Sequence, residues 1–532
     1  MGIYIQVEMS AFALTLSDNG NTHNKIIYNY FYNNGVKILK EYGNHKSFVI
    51  LALGNELNGD VTIFERLVSE LKKVRNDILI TSGANNFLEQ PITLLNDDVW
   101  ITMRTAIGAN IRGSFSHGDL PLGRLQSKNR LSTDWNYDKM AKISSKPLIS
   151  HEVGQYQVCP DISDEDKYLG VTVNDVLKDY GAKLLDKNRY EKWEDYFINS
   201  GKLVALLYKN EIEALLRTDN ISGFQLLGLN DFQGQGMALV GVLNSFYEDK
   251  GIISAREWRE FCNDTVILLK FDSYVYEKND IIDITIMLYN YSNIDYTNEK
   301  ITVSLSYGND IVDEATLEII DGSRGLKSIG EVTLDTSNYE YETSGRLKLC
   351  AEVLDITNHY DIFILPNEIA TNPQDVRVIY KVTDEDLQYI KSGGKAIFID
   401  NSGFEGMFTT DFWCYDMFKK ACEEKGKEVA PGTMGLLVNK YHSALNNFVT
   451  ETYAEAQWQQ IMANSKVLNV NDKKCDNIIE VIDNFNRCDN LSLMYEERIE
   501  KGILITTGCD FYKHMDKVEF RALYNSVINY LL

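Results

Sequence analysis

The sequence is 532 residues long, and 44% of its residues are hydrophobic and 24% are charged. These values are typical of globular proteins and exclude collagen-like, low-complexity and wholly disordered chains, while the length corresponds to about three domains. Lysine and arginine number 53 against 77 acidic residues, so the formal net charge at pH 7 is -24. Because this charge repels phosphates and anionic lipids, we expect no nucleic-acid partner and no membrane partner, but a neutral or locally recognised substrate.

Targeting and metal-binding patterns are equally informative. No apolar run reaches the ~20 residues that span a bilayer, and residues 1–8 lack the regions of a signal peptide. We therefore expect a soluble protein, cytoplasmic if Met1 is the true start and periplasmic or secreted if upstream residues are missing. The eight cysteines form no CxxC pair, and neither an HExxH nor an EF-hand pattern occurs. We predict reduced thiols, no bound metal and no cofactor.

Residues 1–262 alternate short apolar runs with helical patterns, which is the order expected of a parallel sheet covered by helices. The runs are nearly continuous in Ile, Val and Leu, as in strands buried on both faces. Helices are predicted over residues 26–42, 61–75 and about 201–217. The six predicted strands cover residues 2–7, 48–54, 78–82, 99–103, 147–150 and 223–229.

The pattern then changes twice. Residues 263–367 carry short alternating strands separated by Asn-, Asp- and Gly-rich turns, which predicts an immunoglobulin-like β-sandwich. Residues 368–532 return to an α/β order, with strands near 376–381, 396–400, 467–470 and 503–507 and helices near 384–391, 411–425 and 518–531. The chain is thus predicted to be an α/β multidomain protein with three domains, 1–262, 263–367 and 368–532.

Two glutamates stand at the ends of predicted strands. The apolar run 47–54 ends in Asn55 and Glu56, and the run 146–151 leads into Glu152. Because α/β folds place their active sites at the carboxyl ends of parallel strands, both side chains are candidates for one cleft. Two carboxyl groups facing one cleft are typical of glycoside hydrolysis, in which one donates a proton and the other acts as the nucleophile or activates water.

Five segments carry a resemblance to a known family. Residues 47–56 resemble the acid/base strand of glycoside hydrolase family 2, which contains β-galactosidases, β-mannosidases and β-glucuronidases, and residues 149–156 resemble its nucleophile strand. Residues 223–241 are similar to the last barrel strand and loop of a gut-bacterial branch of that family, and residues 411–415 and 432–437 to its C-terminal region. The resemblance therefore extends over nearly the whole chain.

The resemblance implies a (β/α)8 TIM barrel, with Glu56 as acid/base and Glu152 as nucleophile. Asn55 then matches the asparagine that binds the sugar 2-hydroxyl. Since these glutamates follow family strands four and seven, the strand at residues 2–7 becomes strand three, and the barrel is expected to lack its first two strands. The implied C-terminal domain is flavodoxin-like and resembles glutamine-amidotransferase accessory domains.

The resemblance implies a retaining exo-β-glycosidase that hydrolyses terminal β-linked sugars, and a β-galactosidase-like specificity is the first candidate. The alternative is an inactive truncated remnant that acts as a carbohydrate-binding or scaffold module. The expected partner is an oligosaccharide or glycan substrate. Two protein partners remain open: a second copy of the chain, or a missing N-terminal fragment.

Further residues near the predicted cleft are candidate sugar contacts, with core packing as the alternative for the aromatic ones. The candidates are Asn85, His117, Tyr156, Tyr208 and Asp231, of which Asp231 either binds a hydroxyl or caps a turn. His151 alternates with Glu152 along the strand, so we expect it to face away from the cleft. The glycines at 234–241 lack the spacing of a phosphate-binding loop and predict a turn, and Cys509 lacks the elbow of a catalytic cysteine.

Overall fold

The structure is a computed structural model that describes residues 3–11, 13–17, 22–113, 124–126, 128–171, 173–232, 238–338, 344–368, 375–405, 424 and 432–532. The chain divides into two compact units. The first comprises Met1–Gly113, Asn136–Val153 and Ala214–Leu227, and the second comprises Ser114–Trp135, Gly154–Glu213 and Gly228–Leu532. No helix in these described ranges is both long enough and apolar enough to cross a bilayer.

The first unit contains six parallel strands in chain order. Backbone pairing joins the first three strands to each other and the last three to each other. Isolated bridges from Ala84 to Asn55 and to Ile101 connect the two groups. The strands are β1 (Ile5–Glu8), β2 (Phe48–Ala52), β3 (Leu79–Thr81), β4 (Trp100–Thr102), β5 (Leu148–Val153) and β6 (Ile221–Leu226). All six predicted strands are therefore present, whereas a TIM barrel remains a prediction.

Helices α1 (Thr22–Tyr42) and α2 (Val61–Val74) follow β1 and β2. Helix α2 begins after Asp60, whose carboxylate accepts a hydrogen bond from the Thr62 amide and satisfies a free donor of the first turn. Its buried residues recur at helical spacing and pack with the strands into the core of this unit: Ile63, Phe64, Leu67, Val68 and Leu71. The remaining elements are the short pairs Thr15–Leu16 with Asn58–Gly59 and Arg104–Ala106 with Ala109–Asn110, and helix α3 (Asp138–Ala141).

The second unit begins with helices and continues into one antiparallel sheet and one mixed sheet, in which the strands 275–277 and 356–365 pair in parallel. The helices are α4 (Asp175–Asp186), α5 (Trp193–Leu216, whose residues up to Glu213 belong to this unit) and α6 (Ala255–Phe261). The strands that follow are β7 (Thr265–Lys270), β8 (Val275–Glu277), β9 (Ile281–Asn290), β10 (Lys300–Tyr307), β11 (Asp310–Glu318), β12 (Gly325–Asp335), β13 (Gly345–Val353) and β14 (Ile356–Leu365).

These strands form a three-stranded sheet, β7-β9-β12, and a five-stranded sheet, β8-β14-β13-β10-β11. Burial alternates along β9, β10 and β13, so each strand buries one of its two faces. The Asn358 amide group donates to the Ile267 carbonyl at 2.7 Å, which joins the two sheets. Strands β8, β12 and β14 were not predicted from the sequence, because β8 is short and polar residues interrupt the apolar pattern of the other two.

The last part of the chain forms a mixed sheet. Its strands are β15 (Val376–Ile379), β16 (Lys395–Ile399), β17 (Thr433–Val438), β18 (Leu468–Asn469), β19 (Asp476–Asp483), β20 (Leu491–Ile499) and β21 (Gly502–Thr507), with helices α7 (Asp384–Lys391), α8 (Gln459–Asn464) and α9 (Val518–Leu531). The order is β15-β16-β21-β20-β19-β17, with β18 paired to β20.

Within this sheet, parallel pairing joins β15 to β16 and β16 to β21. The flavodoxin-like expectation of a parallel sheet is therefore corrected to a mixed sheet. The physical reason is a tight hairpin: Ile499 pairs with Gly502, so only Glu500 and Lys501 connect β20 to β21. A two-residue turn, with Glu500 at φ 54°, can join only antiparallel strands. The domain boundaries predicted after residues 262 and 367 remain predictions.

Candidate active site

The predicted catalytic residues lie in unusual backbone conformations. Glu56 has φ 53°, Asn85 has φ 45° and Glu152 has φ 54°, although none of them is glycine. Such left-handed conformations cost free energy and concentrate at functional sites, where the surrounding structure holds them. The three residues lie at strand ends of the first unit, after β2, after β3 and at the end of β5. Other left-handed residues, such as Asn188 and Leu354, lie in the second unit.

The strand ends are linked by polar side chains around His151. Its Nε2 lies 3.3 Å from Oδ1 of Asn55, and its Nδ1 lies 3.0 Å from Oε1 of Gln225. Gln225 in turn donates from Nε2 to Oε1 of Gln6 at 2.8 Å. Side chains from β1, β6, β5 and the end of β2 thus form one continuous network.

The expected orientation of His151 is wrong. His151 Nε2 lies 3.7 Å from Oε1 of Glu152, so the two neighbours approach the same side instead of opposite faces. Strict alternation holds only for regular extended backbone. The positive φ of Glu152 breaks that regularity, and the pairing of β5 with β6 shifts its register at the same place.

Arg112 is the cation beside Glu152. Its Nη1 donates to the Glu152 carbonyl at 3.0 Å and lies 3.5 Å from Oε2 of the same residue. The Arg112 side chain is only 2% exposed and that of Glu152 is 15% exposed, so water screens this attraction weakly. Because arginine keeps its charge at any ordinary pH, Arg112 is a permanent positive charge beside the Glu152 carboxyl group.

The backbone around Asn55 and Glu56 is held by the neighbouring strands. The Glu56 amide donates to the Ala84 carbonyl and the Asn55 amide to the Ala11 carbonyl, both at 2.9 Å. Both side chains are half-buried. The strand end therefore has a defined path, while its two polar side chains keep partial access to solvent.

Asn85 lies at the same edge but is buried. Its Oδ1 accepts hydrogen bonds from the Met103 amide at 3.2 Å and from the Thr102 hydroxyl at 3.4 Å. These bonds fix the turn that follows β3 to the end of β4. A sugar contact by Asn85 remains a prediction. His117 and residues 234–237 of the glycine segment 234–241 lie outside the described residues.

Two predicted sugar contacts are corrected to packing residues. Tyr156 and Tyr208 are 0% exposed, and their rings pack edge to face with centroids 5.9 Å apart. The Tyr208 hydroxyl donates to the carbonyls of Gly154 at 3.0 Å and Val240 at 2.7 Å. Burial raises the pKa of Tyr208 well above its ordinary value, and nearby carboxylates add to the shift. This hydroxyl therefore stabilises the second unit as a neutral donor.

Asp231 also has a structural partner. Its Oδ1 lies 2.6 Å from Nζ of Lys250, and the side chains are 5% and 4% exposed. The same oxygen accepts from the Gly241 amide at 3.1 Å. Burial raises the pKa of Asp231 to about 6, although the Lys250 ammonium opposes the shift. Of the two predicted roles, the contacts favour the one that stabilises a turn.

The sequence interpretation did not identify Arg112, Gln225 or Gln6 as site residues. A glutamine inside each of two otherwise apolar strands is the signal that could have indicated inward-facing polar groups. Arg112 gives no such signal, because it lies in a loop and its partner is 40 residues away. In the described part of the chain, no group of three or more His, Cys, Asp or Glu side chains is arranged to hold a metal ion.

Comparisons with known proteins match parts of the chain. Residues 280–366 match a family described as a domain of unknown function (DUF8488), and residues 378–532 match another with that description (DUF8487). No curated protein matches the chain.

Solved structures similar to this chain include three β-glycosidases. The chain is 11% identical to the Parabacteroides merdae β-glucuronidase, with a TM-score of 0.31, covering 71% of this chain and 42% of that one. The chain is 10% identical to the Bacteroides uniformis β-glucuronidase, with a TM-score of 0.29, and the match covers 69% of this chain and 39% of that one. The chain is 14% identical to the family 2 β-galacturonidase of Eisenbergiella tayi, with a TM-score of 0.28, and the match covers 47% of this chain and 39% of that one. The chain spans less than half the length of each of these proteins.

Proposed function

We propose that the protein is a retaining β-glycosidase in which Glu56 is the acid/base and Glu152 is the nucleophile. The observation that carries the proposal is the left-handed backbone of both glutamates at two strand ends, with φ 53° at Glu56 and 54° at Glu152. His151 contacts both Asn55, the neighbour of Glu56, and Glu152. Retaining hydrolysis requires two such carboxyl groups about 5–5.5 Å apart across the glycosidic bond.

The surroundings of each glutamate support its proposed role. Glu152, proposed to attack the anomeric carbon, lies 3.5 Å from the buried Arg112 guanidinium, which also holds its backbone carbonyl. Glu56, whose side chain is half-buried, first donates its proton to the leaving oxygen in the proposed cycle and then takes one from water. Asn55, which contacts His151, is the proposed partner of a sugar hydroxyl.

The substrate proposed is a terminal β-linked sugar, with galactose as the first candidate. The test is hydrolysis of a panel of aryl β-glycosides by the full chain and by the variants Glu56→Gln and Glu152→Gln. Loss of a general acid costs about 10²–10⁴-fold in turnover, and we expect loss of the nucleophile to cost at least as much. Exposed Glu89, in the same unit, provides the matched control as Glu89→Gln, which retains full turnover.

The two roles are separated by their chemistry. Glu152→Ala removes the nucleophile and leaves space for a small anion, so added azide restores turnover of an activated aryl glycoside and gives a glycosyl azide of inverted configuration. Substrates with good leaving groups tolerate Glu56→Gln better than those with poor ones, because they need less proton donation. Full turnover by Glu152→Gln, or no hydrolysis of any glycoside by the unaltered chain, refutes the proposal.

A further inference from the structure

The second unit contains a cavity of about 310 Å³ that the proposed catalysis does not use. Helix α5 contributes one wall through Lys202 and Lys209, and helix α6 contributes Glu257 and Glu260. The floor is the outer face of strands β13 and β14, and the segment containing Tyr453 and Glu455 closes the remaining side. The volume lies at the lower end of the ~300–1,000 Å³ range of small-molecule sites.

The floor of the cavity is a ladder of cross-strand pairs. Arg346 lies opposite Phe363, and Lys348 lies opposite Asp361, so charged groups and an aromatic ring face the same side. The outer face of a sandwich sheet is commonly solvated. Here helices and the 453–456 segment cover it, which converts a surface into a cavity.

The charges in the lining are balanced, with four Lys or Arg side chains and four carboxylates. Several are already paired within the protein. Arg346 lies 2.6 Å from Asp361 Oδ2 and 3.1 Å from Glu455 Oε1, and His359 Nδ1 lies 2.5 Å from Glu260 Oε2. A ligand with one net charge would have to separate these pairs, whereas a neutral ligand leaves them intact.

Aromatic groups supply the apolar part of the lining. Phe363 and Tyr274 are almost fully buried at 1% and 3% exposure, while Tyr453 is half-buried. Burial raises the pKa of Glu455 although the Arg346 guanidinium opposes the shift, so a hydroxyl that donates to this carboxylate stabilises its ionised form. The cavity thus presents the partly exposed ring of Tyr453, backed by buried Phe363 and Tyr274, beside groups that both donate and accept hydrogen bonds.

We infer that this cavity binds a small neutral polyhydroxyl compound, such as a monosaccharide, through its aromatic and charge-paired lining. Each hydroxyl of such a ligand both donates and accepts, so it bonds to Asp361 or Glu455 and to a neighbouring cation without breaking their pair. The C–H face of a sugar ring packs against Tyr453. The lining residues all belong to the second unit, whereas Glu56 and Glu152 belong to the first, so the inference does not depend on turnover.

The test is ligand binding to the full chain carrying Glu152→Gln, measured by calorimetry and by saturation-transfer NMR. The probes are glucose, galactose and mannose, with glucuronate, glucosamine and glycine as charged comparisons. We expect saturable millimolar binding of at least one neutral sugar. We expect two changes of partly exposed side chains to weaken that binding about tenfold each. Asp361→Ala removes a charge-assisted hydrogen bond, and Tyr453→Ala removes a stacking face.

The matched control is Asp355→Ala, at an exposed turn of the same sheet outside the cavity, which leaves the affinity unchanged. Circular dichroism and thermal melts of all variants show whether each one folds. Three results overturn the inference: no neutral sugar binds, the affinity is the same in folded Asp361→Ala and Tyr453→Ala, or glycine or glucuronate binds more tightly than every neutral sugar.

Discussion

The buried pair Asp231–Lys250 offers the sharpest test of a residue whose role the sequence left open. Its atoms are 2.6 Å apart and its side chains are at most 5% exposed. The change Lys250→Met keeps the length of the side chain but removes its charge, so the Asp231 carboxylate keeps the hydrogen bond from the Gly241 amide and loses its cation. Removing one member of a buried ion pair costs about 3–5 kcal/mol, because a charge stays behind without compensation.

The cost of Lys250→Met depends on pH. The pKa of Asp231 is about 6 with Lys250 present, and loss of the ammonium raises it further. At pH 7 the fold must therefore bury an ionised carboxylate or take up a proton, while at pH 5 the carboxyl is already protonated. Since one pKa unit corresponds to about 1.4 kcal/mol, we expect the destabilisation to fall by about 1–3 kcal/mol between these two pH values.

The assay is urea unfolding at pH 7 and pH 5, followed by tryptophan fluorescence. Of the described tryptophans, Trp100 belongs to the first unit and four belong to the second, so their signal reports mainly on the unit that holds the pair: Trp135, Trp193, Trp258 and Trp458. The double variant Asp231→Asn with Lys250→Met removes both charges, and we expect it to recover most of the lost stability. Equal destabilisation at both pH values, or a double variant as unstable as Lys250→Met, refutes the reasoning.

Three further predictions concern other buried groups. Burial raises the pKa of Asp97 from 3.8 to about 6, so the folded state binds this proton at higher pH than the unfolded chain does. Thermal melts should therefore show the free energy of unfolding falling by about 3 kcal/mol as the pH rises from about 4 to 6. The variant Asp97→Asn abolishes this pH dependence. Tyr208→Phe removes the donor to two buried carbonyls and lowers the free energy of unfolding by about 1–3 kcal/mol in urea titrations. Gly154→Ala is expected to lower the melting temperature, since Gly154 has φ +82° and its new Cβ would lie 1.9 Å from the Tyr208 ring; an unchanged melt contradicts that packing.

The strands of the first unit were predictable because their signal is local. Continuous β-branched and leucine runs such as residues 48–52 bury both faces, and this property depends on the segment itself. Helix α2 was predictable for the same reason, since Asp60 supplies the cap and the apolar residues repeat at helical spacing. The order of these elements then indicated a parallel sheet.

The C-terminal sheet was less predictable, since strand direction is decided by connections and by partners distant in sequence. Strand β17 pairs with β19 across more than 40 residues, and β21 lies between β16 and β20. Neither segment carries a composition that distinguishes a parallel from an antiparallel neighbour. The order of strands and helices therefore predicted an α/β domain, while the flavodoxin-like parallel sheet, which the resemblance implied, differs from the mixed sheet of the structure.

By itself the sequence determined the six strands of the first unit, the positions of Glu56 and Glu152 at two strand ends, and the acidic charge, because each follows from neighbouring residues or from composition. Only the tertiary structure decided that His151 faces Asn55, that Arg112 lies beside Glu152, and that Tyr208 is buried. The physical reason is that side-chain direction and burial depend on backbone angles such as the positive φ of Glu152, which packing between distant segments imposes.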